Sequence, residues 1–285
     1  DDYQEQFIDT KIPDLVAAVE SDVLSTVVPL VYHSAGDYGL FNDVSTVLNA
    51  KQILTDNLAP INQTKYLLTN TAAAAQVVNS MTGFYNPQGK IGDQFKTGNM
   101  ADNTLGFDWY ESTLMPSLTR GGANTAYETV TGGANLVTTA SYSSIDIDTG
   151  TGTFAVGDVF TIQGVNDVHP QTKADLGYLK QFVIYEASAG GTCTIKFTPV
   201  IVVSGSGQNV SATPGADKDV LPLGTASTAY QQSLAFCKDA FYLATVDLPM
   251  PTGMGVQVAQ KTWKGVTMRF MNGFDIYNDM FVSRF

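Results

Sequence analysis

The sequence predicts an α+β protein in which a helix-and-strand domain is interrupted by a separate antiparallel β-rich segment. Three observations carry this expectation. Apolar residues recur every three or four positions from Ile8 to Tyr32; short β-patterned runs broken by Gly and Ser clusters fill the chain from Gly121 to about Thr225; longer alternating runs close it. The chain has 285 residues, room for about two domains of ~100–200 residues each. A hydrophobic content of 44% against 15% charged supports sizeable cores and argues against disorder.

Taken in order, Ile8, Ile12, Leu15, Val16, Val19, Val23, Val27 and Leu30 or Val31 mark one face of a long helix over Ile8–Tyr32. Pro13 must sit in its first turn or kink it, and Gly36 and Gly39 end the pattern. A second helix is expected over Ser45–Leu58, capped by Asp43 or Ser45 and stopped by Ala59-Pro60. Lys65–Thr69 reads as a short strand and Ala72–Met81 as a third helix capped by Asn70 or Thr71. Gly83–Gly121 reads as loops and short strands. Beyond it, strands are expected at Tyr142–Asp148, Val159–Ile162, Phe182–Glu186 and Thr192–Val203, with turns at Thr149–Gly152, Ser188–Gly191 and Ser204–Gly207. That rhythm is what a small antiparallel barrel produces. Leu234–Leu248, Gly255–Lys261 and Gly265–Phe285 read as long strands, and the alternation of Val266, Met268 and Phe270 gives the last of them one buried face.

Charge excludes one class of function. The net charge is −12 and unevenly spread: residues 1–60 carry ten acids and two bases, and residues 228–285 carry four acids and five bases. There is no basic stripe to neutralise phosphates, so a nucleic-acid grip is not expected. Low charge together with 26 Gly fits wide surfaces that pack against copies of the same chain. Cys193 and Cys237 fall in apolar or β-patterned runs and read as buried free thiols; a metal site would need further ligands. No run approaches the ~18 apolar residues of a membrane span. The chain starts at Asp1-Asp2 in a polar lead-in, without Met, so a missing natural N-terminus is expected.

Residues that could carry chemistry are few. His33 follows a helix end and reads as complementing its negative pole or facing solvent; His169 lies in a polar loop. Neither has metal-ligand spacing or a nucleophile motif around it. Asp146, Asp148, Gly150 and Gly152 faintly resemble a calcium loop but lack its further acids, so a hairpin turn with exposed aspartates is the expectation. Asn62-Gln63-Thr64 and Asn209-Val210-Ser211 match a glycosylation triplet that is too common to weigh. The Gly-rich GTGTFAVG and SGSG runs lack the Lys-Ser/Thr of phosphate loops and read as turns. The aromatic residues at Phe107, Trp109, Tyr110, Phe236, Phe241, Tyr242, Phe270, Phe274, Tyr277 and Phe281 read as core and subunit-interface packing. No catalytic residue, metal or cofactor is expected.

The stretch Gly157–Tyr185, GDVFTIQGVNDVHPQTKADLGYLKQFVIY, pairs two β runs, Val159–Ile162 and Gln181–Tyr185, around a polar segment of Asn166, Asp167, Pro170, Gln171 and Lys173. It resembles the inserted β-barrel domain of the coat proteins of P-twenty-two-type short-tailed phages. The resemblance rests on Gly157, Asp158, Phe160, Gly164, Pro170, Gln171, Thr172, Lys173 and Phe182. It continues in Gly106, Phe107, Asp108, Tyr110, Ser112 and Pro116, in the strand holding Phe236, Lys238 and Phe241, and in Asn278, Asp279 and Arg284 near the end. The motifs occur in the family's order over nearly the whole chain.

The resemblance implies a tailed-phage major capsid protein of α+β class with the Hong Kong 97-like fold: spine helix, P-domain sheet, A domain and an inserted antiparallel β-barrel domain. Residues 1–42 would hold the spine helix of the P domain, 43–118 the A domain, 119–227 the inserted barrel, and 228–285 the P-domain strands and a return to the A domain. The N-terminal arm, extended loop and extreme C-terminus of the family are expected outside this sequence. The family's long acidic loop is expected to be shortened to about Gly132–Ala140, and Cys237 to be a packing substitution for a common His. These motif residues would serve packing or interfaces. Implied partners are further copies in pentamers and hexamers, a scaffolding protein, a portal and a decoration protein, around double-stranded DNA that is enclosed without specific binding and with no membrane. The implied location is the virion head shell, assembled in the host cytoplasm. Two other classes stay open: a tube or decoration protein, against which the long amphipathic helix speaks, and an enzyme or glycan-binding module on the β segment, against which the lack of paired acids speaks.

Overall fold

The computed structural model describes residues 9–36, 43–81, 98, 100, 103–244, 246, 249–250, 256–263 and 266–284. Its elements form two compact units, one of residues 21–238 and the other of residues 1–20 with 239–285. Helix α1 (Asp9–Val27) contains Pro13 within its body and gives way to a 3₁₀ turn at Val28–Leu30. The expected helix to Tyr32 is therefore cut short, because Pro29 cannot donate into the ladder. Ile8, Gly39, Gly83, Leu248, Gly255, Gly265 and Phe285, named as ends of expected elements, lie outside the described residues.

In the larger unit, α2 (Val44–Asp56) starts where Asp43 Oδ1 accepts from the Thr46 amide at 3.0 Å. That hydrogen bond holds the Asp43 carboxyl below its usual range. After the helix ends, Leu58 turns left-handed with φ of 60°. Strand β1 (Lys65–Thr69) follows, then α3 (Thr71–Ser80), where Asn70 accepts from the Ala72 amide. β1 pairs in parallel with β2 (Asp108–Glu111), and Val47, Leu67 and Phe107 are buried together between α2 and this pair.

Strand β3 (Ser117–Thr119) leads into a sheet built of β4 (Glu128–Thr129), β5 (Val137–Thr138), β6 (Ser143–Asp148), β7 (Val159–Val168), β8 (Asp175–Glu186), β9 (Cys193–Thr198) and β10 (Val220–Pro222). The order is β10-β7-β8-β9-β6-β4, with β5 also on β6. The two edges approach each other: the Val220 amide donates to Tyr127 O at 2.8 Å and the Thr129 amide to Lys218 O at 2.9 Å, so the sheet curls into a nearly closed barrel. Inside it Phe154, Phe160, Phe182 and Phe197 form a ring cluster, with Phe160 and Phe182 each set against Phe197 at 5.3 and 5.0 Å between centroids. Burying each ring fully contributes roughly 1.5–3 kcal/mol. β11 (Ala229–Gln231) then pairs with β3, Leu118 opposite Tyr230, and β12 (Leu234–Cys237) pairs antiparallel with β1. The chain thus runs into the barrel and out of it through neighbouring strands.

The smaller unit carries an antiparallel three-stranded sheet of β13 (Gln257–Trp263), β14 (Val266–Asp275) and β15 (Met280–Arg284). The single strand expected over Gly265–Phe285 is a hairpin of two strands instead. Asp275 accepts from the Tyr277 amide and from Asn278 Nδ2, and Asp279 takes φ of 51°, which closes the turn.

Other boundaries moved for identifiable reasons. The expected strand Leu234–Leu248 stops at Cys237 because its partner β1 is only five residues long; the Lys238 amide makes the last contact, to Thr64 O. Thr192–Val203 shrinks to β9, since Pro199 has no amide hydrogen to continue the ladder. Asn166 and Asp167, expected in a loop, belong to β7, which extends past an irregularity between Thr161 and Asn166 at Gly164.

Candidate functional site

The residues singled out from sequence do not converge on one spot. Phe160 and Phe182 meet in the barrel core, and Phe107 anchors the α2 cluster. Asp158, almost wholly buried, accepts from the amides of Gly121 and Ala155 and so staples the first barrel loop to β7. Gly157 turns left-handed, and a Cβ there would meet Pro29 at 3.0 Å. Gly106 is left-handed beside Lys51, and Gly164 is left-handed in open space at the β7 bulge. Asp108 accepts from the Asn103 amide, the Ser112 amide donates to Thr69 O, and Pro116 O accepts from the Gln232 amide.

The polar loop is a self-contained turn. His169 Nδ1 accepts from the amides of Gln171 and Thr172, just beyond the Pro170 corner, and Lys173, with φ of 59°, donates from Nζ to Gln208 O. Phe236 lies against Tyr66 in the three-stranded sheet, while Tyr110 and Phe241 are exposed. Asn278, Asp279 and Arg284 lie in the β14–β15 hairpin. Among the described residues no group of three or more His, Cys, Asp or Glu could hold a metal ion. Cys237 is buried and Cys193 half-buried, both free, so the second thiol is less enclosed than expected. Asp146 belongs to the barrel wall, accepting from Thr194 and Asn135, as a structural aspartate.

Sequence reasoning missed a joint between the barrel and the segment after α1. Lys180 Nζ and Asp167 Oδ1 form an ion pair at 2.9 Å with side chains only 5% and 4% exposed. The Lys180 ammonium also stands 5.5 Å from the centre of the Tyr32 ring. Next to it, Gln181 donates to Ser34 O at 3.0 Å and accepts from the Ser34 amide at 2.8 Å, a side chain imitating a strand partner. Tyr178 hydrogen-bonds Asp56 at the end of α2; burial first, then the charges of Asp167 and Asp56, push its hydroxyl up to about 12.

His33 sits in this joint rather than at a helix pole. Burial, and then the nearby Lys180 charge, pulls its pKa down to about 4, so the ring is neutral and gives no cationic help to a helix end. Its Nε2 is buried with no hydrogen-bond partner, as is Ser233 Oγ. Both residues line a cavity of about 210 Å³ bounded by α2, residues 31–35, β12 and the start of β7.

The second class of surface is apolar and lies on the smaller unit. Ile276 is 83%, Tyr277 100% and Phe281 76% exposed, with Phe274, Met280 and Val282 also open. Several large apolar side chains are thus exposed around one hairpin, and exposed apolar patches on soluble proteins are often sites of protein contact.

The family described as P22 coat protein - gene protein 5 matches residues 9–285, and the chain belongs to that family of tailed-phage capsid proteins. It is a coat protein, a structural component of the bacteriophage virion, in a family that is structural rather than enzymatic. Among solved structures, one titled "CUS-3 coat protein I-domain" is similar at 23% identity and a TM-score of 0.28, covering 36% of this chain and 98% of that one. Comparison with curated proteins gave no match. No described helix is long and apolar enough to cross a membrane.

Proposed function

We propose that copies of this chain tile the icosahedral head shell of a tailed phage, associating as pentamers and hexamers around double-stranded DNA. The observation that carries the reading is the family match over residues 9–285. In this reading the chain has the Hong Kong 97-like fold. Residues 1–42 give the spine helix, 43–118 the A domain, 119–227 an inserted barrel and 228–285 the P-domain strands. The paired β3 and β11 support the insertion, because they let a whole barrel be spliced in at one place. The net charge of −12 supports enclosure of DNA without a grip on it. Scaffolding, portal and decoration proteins are the partners this reading expects, with assembly in the host cytoplasm.

The mechanism is association rather than turnover. Interfaces of ~1,200–2,000 Å² can each be weak and still hold a closed shell when every subunit makes several. The test is electron microscopy and sedimentation of the purified full-length protein with its scaffold. Closed shells of uniform size support the reading; a protein that stays monomeric, beside particles walled by another gene product, overturns it.

A further inference from the structure

The joint between the barrel and residues 32–34 contains a ring with no place for a second proton. His33 lies against the Tyr32 ring at 4.3 Å between centroids, and the Lys180 ammonium stands 5.5 Å from the centre of that same Tyr32 ring. The imidazole Nε2 is buried and has no hydrogen-bond partner among the described residues. An imidazolium carries a proton on both nitrogens. In the closed joint its Nε2–H would be buried, unpartnered and close to a second cation, three conditions that each disfavour the charge.

The neighbours give the ring little relief. Lys180 faces it from β8 and Asp167 from β7, but that carboxylate is committed to Lys180 at 2.9 Å. The end of α2 brings Asn57, while the adjacent Asp56 is taken up by Tyr178. β12 brings Ser233, which has no charge. Tyr32 is titratable, yet burial pushes its hydroxyl up, so it stays neutral in acid. Across the same joint, Gln181 exchanges two hydrogen bonds with the Ser34 backbone, and Tyr32 packs with Val159 and Val183.

We propose that His33 is an acid-operated latch: proton uptake at its ring releases residues 32–34 from the β7–β8 hairpin while the barrel stays closed. Burial, then the Lys180 charge, holds the ring at a pKa of about 4 when the joint is shut, against 6.5 when it is open to water. The open joint therefore binds the extra proton between those values. Closure is at full strength above about pH 6.5 and weakens about tenfold per pH unit down to about pH 4.

The experiment follows amide hydrogen exchange in the full-length chain, kept monomeric by dilution, at pH 7.5 and 5.0, with protection corrected for the intrinsic effect of pH. The reporter is the Ser34 amide, which donates to Gln181 Oε1 at 2.8 Å. Its protection is expected to fall about 30-fold further in the natural chain than in His33→Leu. Amides of the β6–β9 ladder are expected to respond alike in both chains. An equal fall at Ser34 in the two chains overturns the proposal, and so does an excess fall that extends over the β6–β9 ladder to the same degree. Should His33→Leu not fold, the ring is titrated by NMR in the natural chain, which has only two histidines, His33 and His169, told apart with His169→Asn. A midpoint well below 6.5 supports the latch, and one at or above 6.5 overturns it. These outcomes are read on the monomer, so they stand or fall apart from the capsid reading.

Discussion

The barrel and the β13–β15 sheet solve the same problem in opposite ways. Both are antiparallel and both have aromatic residues, yet the barrel turns its phenylalanines into a closed interior while the ribbon leaves Ile276, Tyr277 and Phe281 on the outside. Closure is the difference. A sheet whose edges meet can bury one whole face, and a three-stranded ribbon with a free edge cannot. The barrel therefore has its stabilising burial within one chain. The ribbon leaves these apolar side chains exposed, and in the proposed shell a neighbouring copy would cover them.

The sharpest way to break this comparison is Phe182→Ala. Removing a ring at the centre of the barrel should cost about 4 kcal/mol in equilibrium denaturation, through lost burial and the cavity left behind. A loss below about 1 kcal/mol would mean the barrel does not depend on its own core. Next in size is Asp167→Ala, which strands the buried Lys180 ammonium and should cost about 3 kcal/mol. The double change Asp167→Leu with Lys180→Met should recover most of that loss, since neither charge is then left alone in the joint. Failure to recover would show that the pair does more than neutralise itself. The smallest effect belongs to the ribbon. Tyr277→Ser should change monomer stability by no more than about 0.5 kcal/mol, while sedimentation of assembly mixtures shows fewer shells. Normal shell yield would remove this tip from the contact surface.

Part of this division was legible in the residues. Lys65–Thr69 reads directly as a strand and forms one, and the Asp43 and Asn70 caps fall where short polar acceptors precede helical runs. The joint was hidden by a bulge. Phe160 and Ile162 face the core, but the irregularity at Gly164 shifts the alternation, so that Val165 and Asp167 are buried after it, with Val168 beside them. A strict two-residue period through β7 gives no reason to bury Asp167. Lys180 did leave a trace: it shares parity with Phe182 and Ile184, both fully buried, and a lysine at an inward position asks for a partner. His33 and Ser233 gave no such sign, because their cavity is made by elements some two hundred residues apart and exists only once the fold has formed.

The antiparallel pair β3 and β11 has a consequence for how such proteins diversify. Adjacent strands stand ~4.8 Å apart, so the chain enters and leaves the stretch between Thr119 and Ala229 at one doorway. A tight hairpin in its place would keep that doorway shut but uncover Tyr32 and Ser34, which lean on Lys180 and Gln181, so the barrel is a graft that its host has grown to rest against.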